Sequence, residues 1–425
     1  MFYNLTFSNA AKKNLASGTV TVGGDLSVTS GTADASVNNS SVTVTGNVTG
    51  TGPIKSGSGT ISLAGNWTNS GTFTCGTGKV VYSKTTGGQT VGGLTYNNLS
   101  LSDTSGTDTA GGNIIVNGIL TTEAGGTLDL TSAYTLGGTL ATITNNGAIK
   151  TSVPTATSAV PLAAGETWSG NGTVEYAAAT AQSIVKGTYH DLTFSGAGAK
   201  TITSETVTVG GDLSVTSGTA DASVNNSTID VTGNFTGTGP VKIGSGALSL
   251  GGNWSNSGTF TAGTGTVTLD GTGQQTISTA LTGSSALYNL TITNASGTDD
   301  PGDGVSFTPG VIFSTSETST NNFTITTPSV RVQYNSGSTY TFNNINWNGG
   351  AASTNIFFRN SNLSSGTWLL NVSGTQTAVS FVNVARSDAS SPGSTINAND
   401  GTCYDAKNNI NWFWGANPGF FNVFE

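Results

Sequence analysis

Charge is what this chain has least of. Lys and Arg number 13 and Asp and Glu 22 in 425 residues, so charged side chains make up 8% of the sequence and the net charge is -9. Soluble domains usually carry about 25%, and chains kept open by like-charge repulsion carry more, so charge-driven disorder is excluded. The three arginines, Arg331, Arg359 and Arg386, fall in one C-terminal stretch. No basic face is left for nucleic acid, and no nucleic-acid partner is expected.

Cysteine and histidine are nearly missing. Cys75 and Cys403 stand 328 positions apart, and the repeat copy that matches Cys75 has Ala262 there, so a disulfide framework or thiolate metal cage is excluded by count. His190 is the one imidazole. HExxH, paired CxxC, a Walker loop and a nucleophile elbow are all absent, which removes the usual signatures of zinc hydrolysis, phosphate cradling and Ser-His-Asp chemistry. No run of 18 apolar residues occurs, and the opening MFYNLTFSNAAKK has neither a basic n-region nor an apolar h-region. The expectation is a chain with no membrane span and no visible secretion signal.

Gly, Thr, Ser and Asn fill the space that charge leaves. Helix-forming runs are lacking, and β-branched residues between Gly and Asn turns favour strands, so the chain reads as all-β. The segment TVTVGGDLSVTSGTADASVNNS at 19–40 recurs letter for letter at 206–227, an offset of 187 residues. An opening motif recurs at about half that offset: FYNLTF from Phe2, YNNLSL from Tyr96, YHDLTF from Tyr189 and LYNLTI from Leu287. Three repeat units of about 94 residues therefore start near 2, 96 and 189.

A shorter beat runs inside each unit. VGGDL at 22–26, VTGNV at 44–48 and LAGNW at 63–67 start 22 and 19 residues apart, and recur from Val209, Val231 and Leu250. The middle unit keeps the beat loosely as VNGIL from Val116 and LGGTL from Leu136. A glycine tolerates φ > 0, and Asn or Asp can hydrogen-bond its own turn, so each motif reads as a corner. One corner per 19 to 22 residues predicts a parallel β-helix of about 20 coils, roughly 95 Å long at one strand spacing per coil. A string of two-sheet sandwich modules is the alternative, and the inner beat argues against it.

Residues 1–286 read as the regular solenoid. From 287 to 425 the beat is lost, and this part reads as an irregular continuation with longer coils, a separate β domain being the alternative. It ends in NINWFWGANPGFFNVFE, with six aromatics in the last fourteen residues. Such a tail either caps the open strand edges or docks onto a neighbouring subunit. At the other terminus Phe2 enters the opening motif directly, so the expectation is either a chain cut from a longer protein at a repeat boundary or a first coil that stacks on a neighbouring molecule, a contact that when repeated gives filaments. The candidate interface is therefore Phe2, Tyr3, Trp412, Phe413, Trp414, Phe420, Phe421 and Phe424.

Other candidates compete with plainer readings. His190 lies in an opening motif and reads as a repeat-position substitution rather than a base. Asp25 and Asp212 alternate with Asn47, Asn66, Asn234 and Asn253 at the corners, which suits turn bonding better than acid-base work, although carboxylates on stacked coils could fall at the spacing glycoside cleavage needs. Asp299, Asp300 and Asp303 form the tight acidic group, either a calcium site or a solvated loop. No other cofactor is expected. Trp67, Trp168 and Trp254 could form a ladder of sugar-ring platforms, but Trp67 and Trp254 hold the inward last place of the corner motif, which favours core packing. Sequons at Asn66 and Asn253 follow from the repeat itself.

The GGDLSV, TGNVTG and GGNWSNSGTFTAGTGTVT strings resemble the repeats of large bacterial surface proteins, similar in style to filamentous-haemagglutinin-like adhesins and autotransporter passengers. The resemblance implies a secreted or cell-surface structural or adhesive role on a right-handed parallel β-helix. With the repeat, the sparse charge, the abrupt start and the aromatic end, the expectation is a non-enzymatic extracellular β-solenoid of a fibre or filament, partnered by its own copies head to tail or by other surface proteins and glycans. The alternative is a polysaccharide-binding or depolymerising β-helix, as in a phage tail fibre.

Overall fold

The computed structural model describes residues 1–203, 205–298, 307–390 and 392–415. The protein is all-β, built of parallel strands stacked as a β-solenoid of about 19 turns, beside the 20 expected from the corner spacing. It divides into two compact units, Met1–Thr201 and Ile202–Glu425.

In the first unit, strands Thr19–Val22, Ser41–Val44, Thr60–Leu63, Lys79–Tyr82, Asn98–Leu101, Ile119–Thr122 and Thr142–Asn145 lie side by side in chain order, all parallel. Alternation sends every second side chain inward. The register stacks like on like: Val42 on Ile61, Ile61 on Val80, Val80 on Leu99, Leu99 on Leu120 and Leu120 on Ile143, all buried. Each fully buried side chain of this size is worth about 1.5–3 kcal/mol relative to exposure. Two further faces complete the early coils. Leu5–Ser8, Leu26–Ser30 and Val48–Gly50 form one, and Lys13–Asn14, Ala33–Asp34, Ile54–Lys55 and Phe73–Thr74 form the other.

The corners differ from expectation in mechanism. The Asn and Asp side chains bond the next coil rather than their own turn. The amide N–H of Asp25 donates to Asn4 Oδ1 at 2.8 Å, that of Asn47 to Asp25 Oδ1 at 2.8 Å, that of Asn66 to Asn47 Oδ1 at 2.8 Å, and that of Thr90 to Asn66 Oδ1 at 2.7 Å. The corner glycines are needed for closeness, not for a left-handed backbone. Gly46 and Gly65 are not among the positive-φ residues, but a Cβ at Gly65 would stand 2.3 Å from the Gly46 carbonyl oxygen. Left-handed glycine appears one step later, at Gly50 (φ 104) and its counterpart Gly237 (φ 107).

The second unit repeats the scheme. Thr206–Val209, Thr228–Val231, Ala247–Leu250 and Thr266–Leu269 are consecutive parallel strands. Its corner ladder runs from Asn234 N–H to Asp212 Oδ1 (2.7 Å), Asn253 N–H to Asn234 Oδ1 (3.0 Å) and Thr276 N–H to Asn253 Oδ1 (2.8 Å). Leu287–Ile292 takes the next place in the same sheet, followed by Glu317–Ile325, Thr339–Asn348 and Trp368–Val372. Leu290 pairs with Phe323, so this coil is longer than the 19-residue ones before it. Aromatic rings fill the later interior: Phe313, Phe323, Tyr334, Tyr340, Phe342, Trp347, Phe358 and Trp368 are all buried, with Tyr334 stacked on Trp368 at 4.1 Å. Larger side chains keep the inside close-packed where the coils are irregular.

Candidate functional site

The first coil presents an incompletely sealed row. Leu5, Phe7, Leu15 and Val20 are half-buried, although Leu192 and Phe194, which hold the places of Leu5 and Phe7 in a later repeat, are fully buried. The sequence is the same in kind; what differs is the presence of a coil above. Phe2 begins that upper layer through a parallel bridge to Val22, its N–H donating to Thr21 O at 2.9 Å. It remains 49% exposed and Tyr3 83% exposed.

At the other candidate surface, strand Trp412–Trp414 pairs with Ile396–Ala398. Trp412 is buried and stacks on Trp347 at 6.5 Å and on Trp414 at 5.2 Å. Phe413 points the other way and is 56% exposed. This aromatic segment thus covers its own unit with one ring and offers another outward. Phe420, Phe421 and Phe424 lie outside the described residues, as do Asp299, Asp300 and Asp303.

Trp67, Trp168 and Trp254 are all buried. They pack as core: Trp254 sits between Phe235 and Phe260, each at 5.0 Å, and Trp168 stacks on Tyr189 at 6.4 Å. His190 Nδ1 lies 3.2 Å from Asp191 Oδ1, at a partly exposed position of its opening motif. Asp25 and Asp212 are corner acceptors. Cys75 and Cys403 are both free; Cys403 is buried, and burial pushes its thiol up to about 11.

Sequence reasoning missed a set of buried polar side chains. Asp103 and Asp108 are buried in the first unit, Asp108 Oδ1 accepting the Gln89 N–H at 2.9 Å and Asp103 Oδ2 the Thr127 N–H at 3.1 Å. Burial pushes Asp108 up to about 6, with the Asp103 carboxylate adding to the effect and Gln89 and Lys84 opposing it. Lys200 is buried with its ammonium held by the carbonyls of Ala178, Gly198 and Gly196, and burial lowers it to about 8. Glu317 accepts the Leu281 N–H and is held well above the usual carboxylate range by burial. Inward places of the alternating strands were the available signal, as in GTDTA at 106–110, where Asp108 faces in. Each of these groups bonds backbone of its own or a neighbouring coil, so their chemistry is coil-to-coil fastening.

Among the described residues no helix is long and apolar enough to cross a membrane. No protein-family model matches the chain, and no curated protein or solved structure matches it either.

Proposed function

We propose that this β-solenoid is a non-enzymatic structural or adhesive element of an extracellular or cell-surface fibre, of the kind its adhesin-like repeats resemble, and that its copies stack head to tail. The half-buried row of Leu5, Phe7, Leu15 and Val20 carries the reading, as a coil face that a further coil, whether of a longer polypeptide or of another copy, would seal. A coil of another copy laid on that row would bury it as Leu192 and Phe194 are buried, and the contact is heterologous, so it propagates. Exposed Tyr3 and Phe413 belong to the same proposed contact surfaces.

Sedimentation velocity and electron microscopy over a rising protein concentration test this. Concentration-dependent filaments, abolished by Phe7→Lys with the unfolding midpoint retained, are expected; particles that stay monomeric throughout overturn it. Truncation after residue 415 and after residue 411 separates docking from capping, since only the second removes Trp412 from Trp347. Incubation with a polysaccharide panel supplies the remaining arm, because release of reducing ends replaces the structural reading with a depolymerase.

A further inference from the structure

The two nearly identical repeat copies differ at one connection, and the difference leaves a groove. In the second copy twelve residues, 278–289, link Ile277 to Leu290; in the first, seven residues, 92–98, link Val91 to Leu99. The anchors before the connection are the same. Gln89 Nε2 donates to the carbonyls of Leu63 and Gly65, and Gln275 Nε2 to those of Leu250 and Gly252. Trp67 N–H donates to Thr90 O and Trp254 N–H to Thr276 O.

In the second copy the longer connection lies over the segment Trp254–Phe260. Thr279 Oγ1 donates to Asn256 O at 2.8 Å, Ser285 Oγ accepts the Phe260 N–H at 3.2 Å, and Leu281 and Leu287 are buried. Beneath it Phe260 is 1% exposed and Trp254 Nε1 donates to Asn256 O at 3.3 Å.

Among the described residues nothing of this kind lies over the matching residues of the first copy. A cavity of about 550 Å³ lies there, lined by the whole Trp67–Phe73 segment and by Thr90, Gly92, Gly93, Leu94, Gly111 and Gly112 among others. Phe73 is only half-buried. Trp67 Nε1 is buried with no hydrogen-bond partner among the described residues. Phe73–Thr74 is the outermost strand of its sheet, so a backbone edge borders the space. Both tyrosines that clasp Gly92, Tyr82 and Tyr96, are fully buried, which draws the short connection inward and keeps the groove open. The volume is that of a ligand pocket, and the lining carries no charged side chain.

We infer that this groove takes an uncharged segment of another polypeptide, laid along the Phe73–Thr74 edge. The segment pairs its backbone with that edge and lays an aliphatic side chain against Trp67 and Phe73. Peptide rather than sugar is the occupant because the chain itself fills the matching space with Ser, Thr, Gly and Leu, and an open strand edge pairs with backbone. The inference stands whether or not copies stack head to tail.

The test titrates the full chain with a labelled synthetic peptide of sequence STALTGSSAL, the chain's own 278–287 segment, and follows anisotropy and indole emission. A control peptide carries Ser in place of both Leu. A chimera has residues 92–98 replaced by the 278–289 sequence together with Tyr82→Leu, so that its own chain fills the groove; Phe73→Ser is a second variant should the chimera not fold. Saturable binding that weakens about tenfold or more for the control peptide and for either variant is expected. No saturation at about 1 mM peptide, equal binding by the variants, or a glycan panel binding the groove in place of the peptide overturns the inference.

Discussion

The hydroxyl of Tyr82 lies 3.0 Å from that of Tyr96, and the two close a ring of hydrogen bonds through one backbone residue. Gly92 N–H donates to Tyr82 Oη at 2.7 Å, and Tyr96 Oη donates to the Gly92 carbonyl at 2.7 Å. With those ends fixed, Tyr82 is left to donate to Tyr96, and both buried phenols are satisfied. Tyr176 and Tyr189 repeat the arrangement at 3.1 Å around Val185. At the matching places of the third repeat stand Leu269 and Leu287, both buried. The site holds either two hydroxyls or none.

That pairing predicts strong coupling. Tyr96→Phe removes the donor to Gly92 O and the acceptor for Tyr82, and is expected to cost about 1–3 kcal/mol, the usual effect of orphaning buried polar groups. The Tyr82→Leu, Tyr96→Leu double variant is expected to cost less than its two single variants summed. Urea unfolding of all four proteins measures the cycle; additive effects would refute a closed ring.

The corner ladder was half legible. Its period was plain in the sequence because a stacked coil must return every side chain to the same place, so VGGDL, VTGNV and LAGNW show their spacing openly. Direction was hidden: nothing in Gly-Asn says whether the amide oxygen turns to its own loop or to the next coil, since both satisfy one backbone N–H. Trp67 and Trp254 were legible as inward from the last place of the corner motif, while Trp168, equally buried, stands outside that motif. Asp108, Lys200 and Glu317 were not legible, because a charged residue at an inward place looks like an exposed one until its partners on other coils are known. The groove beside Trp67 was invisible for the same reason: it is made by what a connection five residues shorter fails to cover.

The ladder also limits which corner can be acidic. Asn47 Nδ2 donates to Asp25 Oδ1 at 3.2 Å, and Asn234 Nδ2 to Asp212 Oδ1 at 3.0 Å, so each carboxylate has an amide for its neighbour. Asn47→Asp would keep an acceptor for Asn66 N–H but set two carboxylates against each other. A loss on the order of 1 kcal/mol is expected, recovered by adding Asp25→Asn. Thermal unfolding of the single and double variants checks this, and an unrecovered loss would rule out the repulsion argument.

Asp34 should mark the acid limit of stability. Burial alone would raise its carboxyl, but the Lys12 ammonium at 2.8 Å and the Ser36 N–H and hydroxyl reverse this and hold it at about 2, below the ordinary 3.8. A lowered folded-state value means stability present above about pH 4 and lost as pH falls toward 2. Lys12→Ala is expected to shrink that loss. The unfolding midpoint measured from pH 5 to pH 2 decides it.

Asp108 works with the opposite sign. Its folded-state value of about 6 exceeds the ordinary 3.8, so the native protein binds more protons than the unfolded chain between about pH 4 and pH 6, and stability falls as pH rises through that window. The cause is a buried carboxyl whose Oδ2 has no partner among the described residues; a proton there removes the cost of a buried charge. Asp103 is raised in the same direction and steepens the slope. Asp108→Asn keeps an acceptor for the Gln89 N–H and cannot ionise, so its unfolding midpoint should vary less between pH 4 and pH 6 than that of the unaltered protein. Since the Asp34 effect is confined below about pH 4, the two slopes separate along one titration, and an unchanged slope in Asp108→Asn would assign the proton to another group.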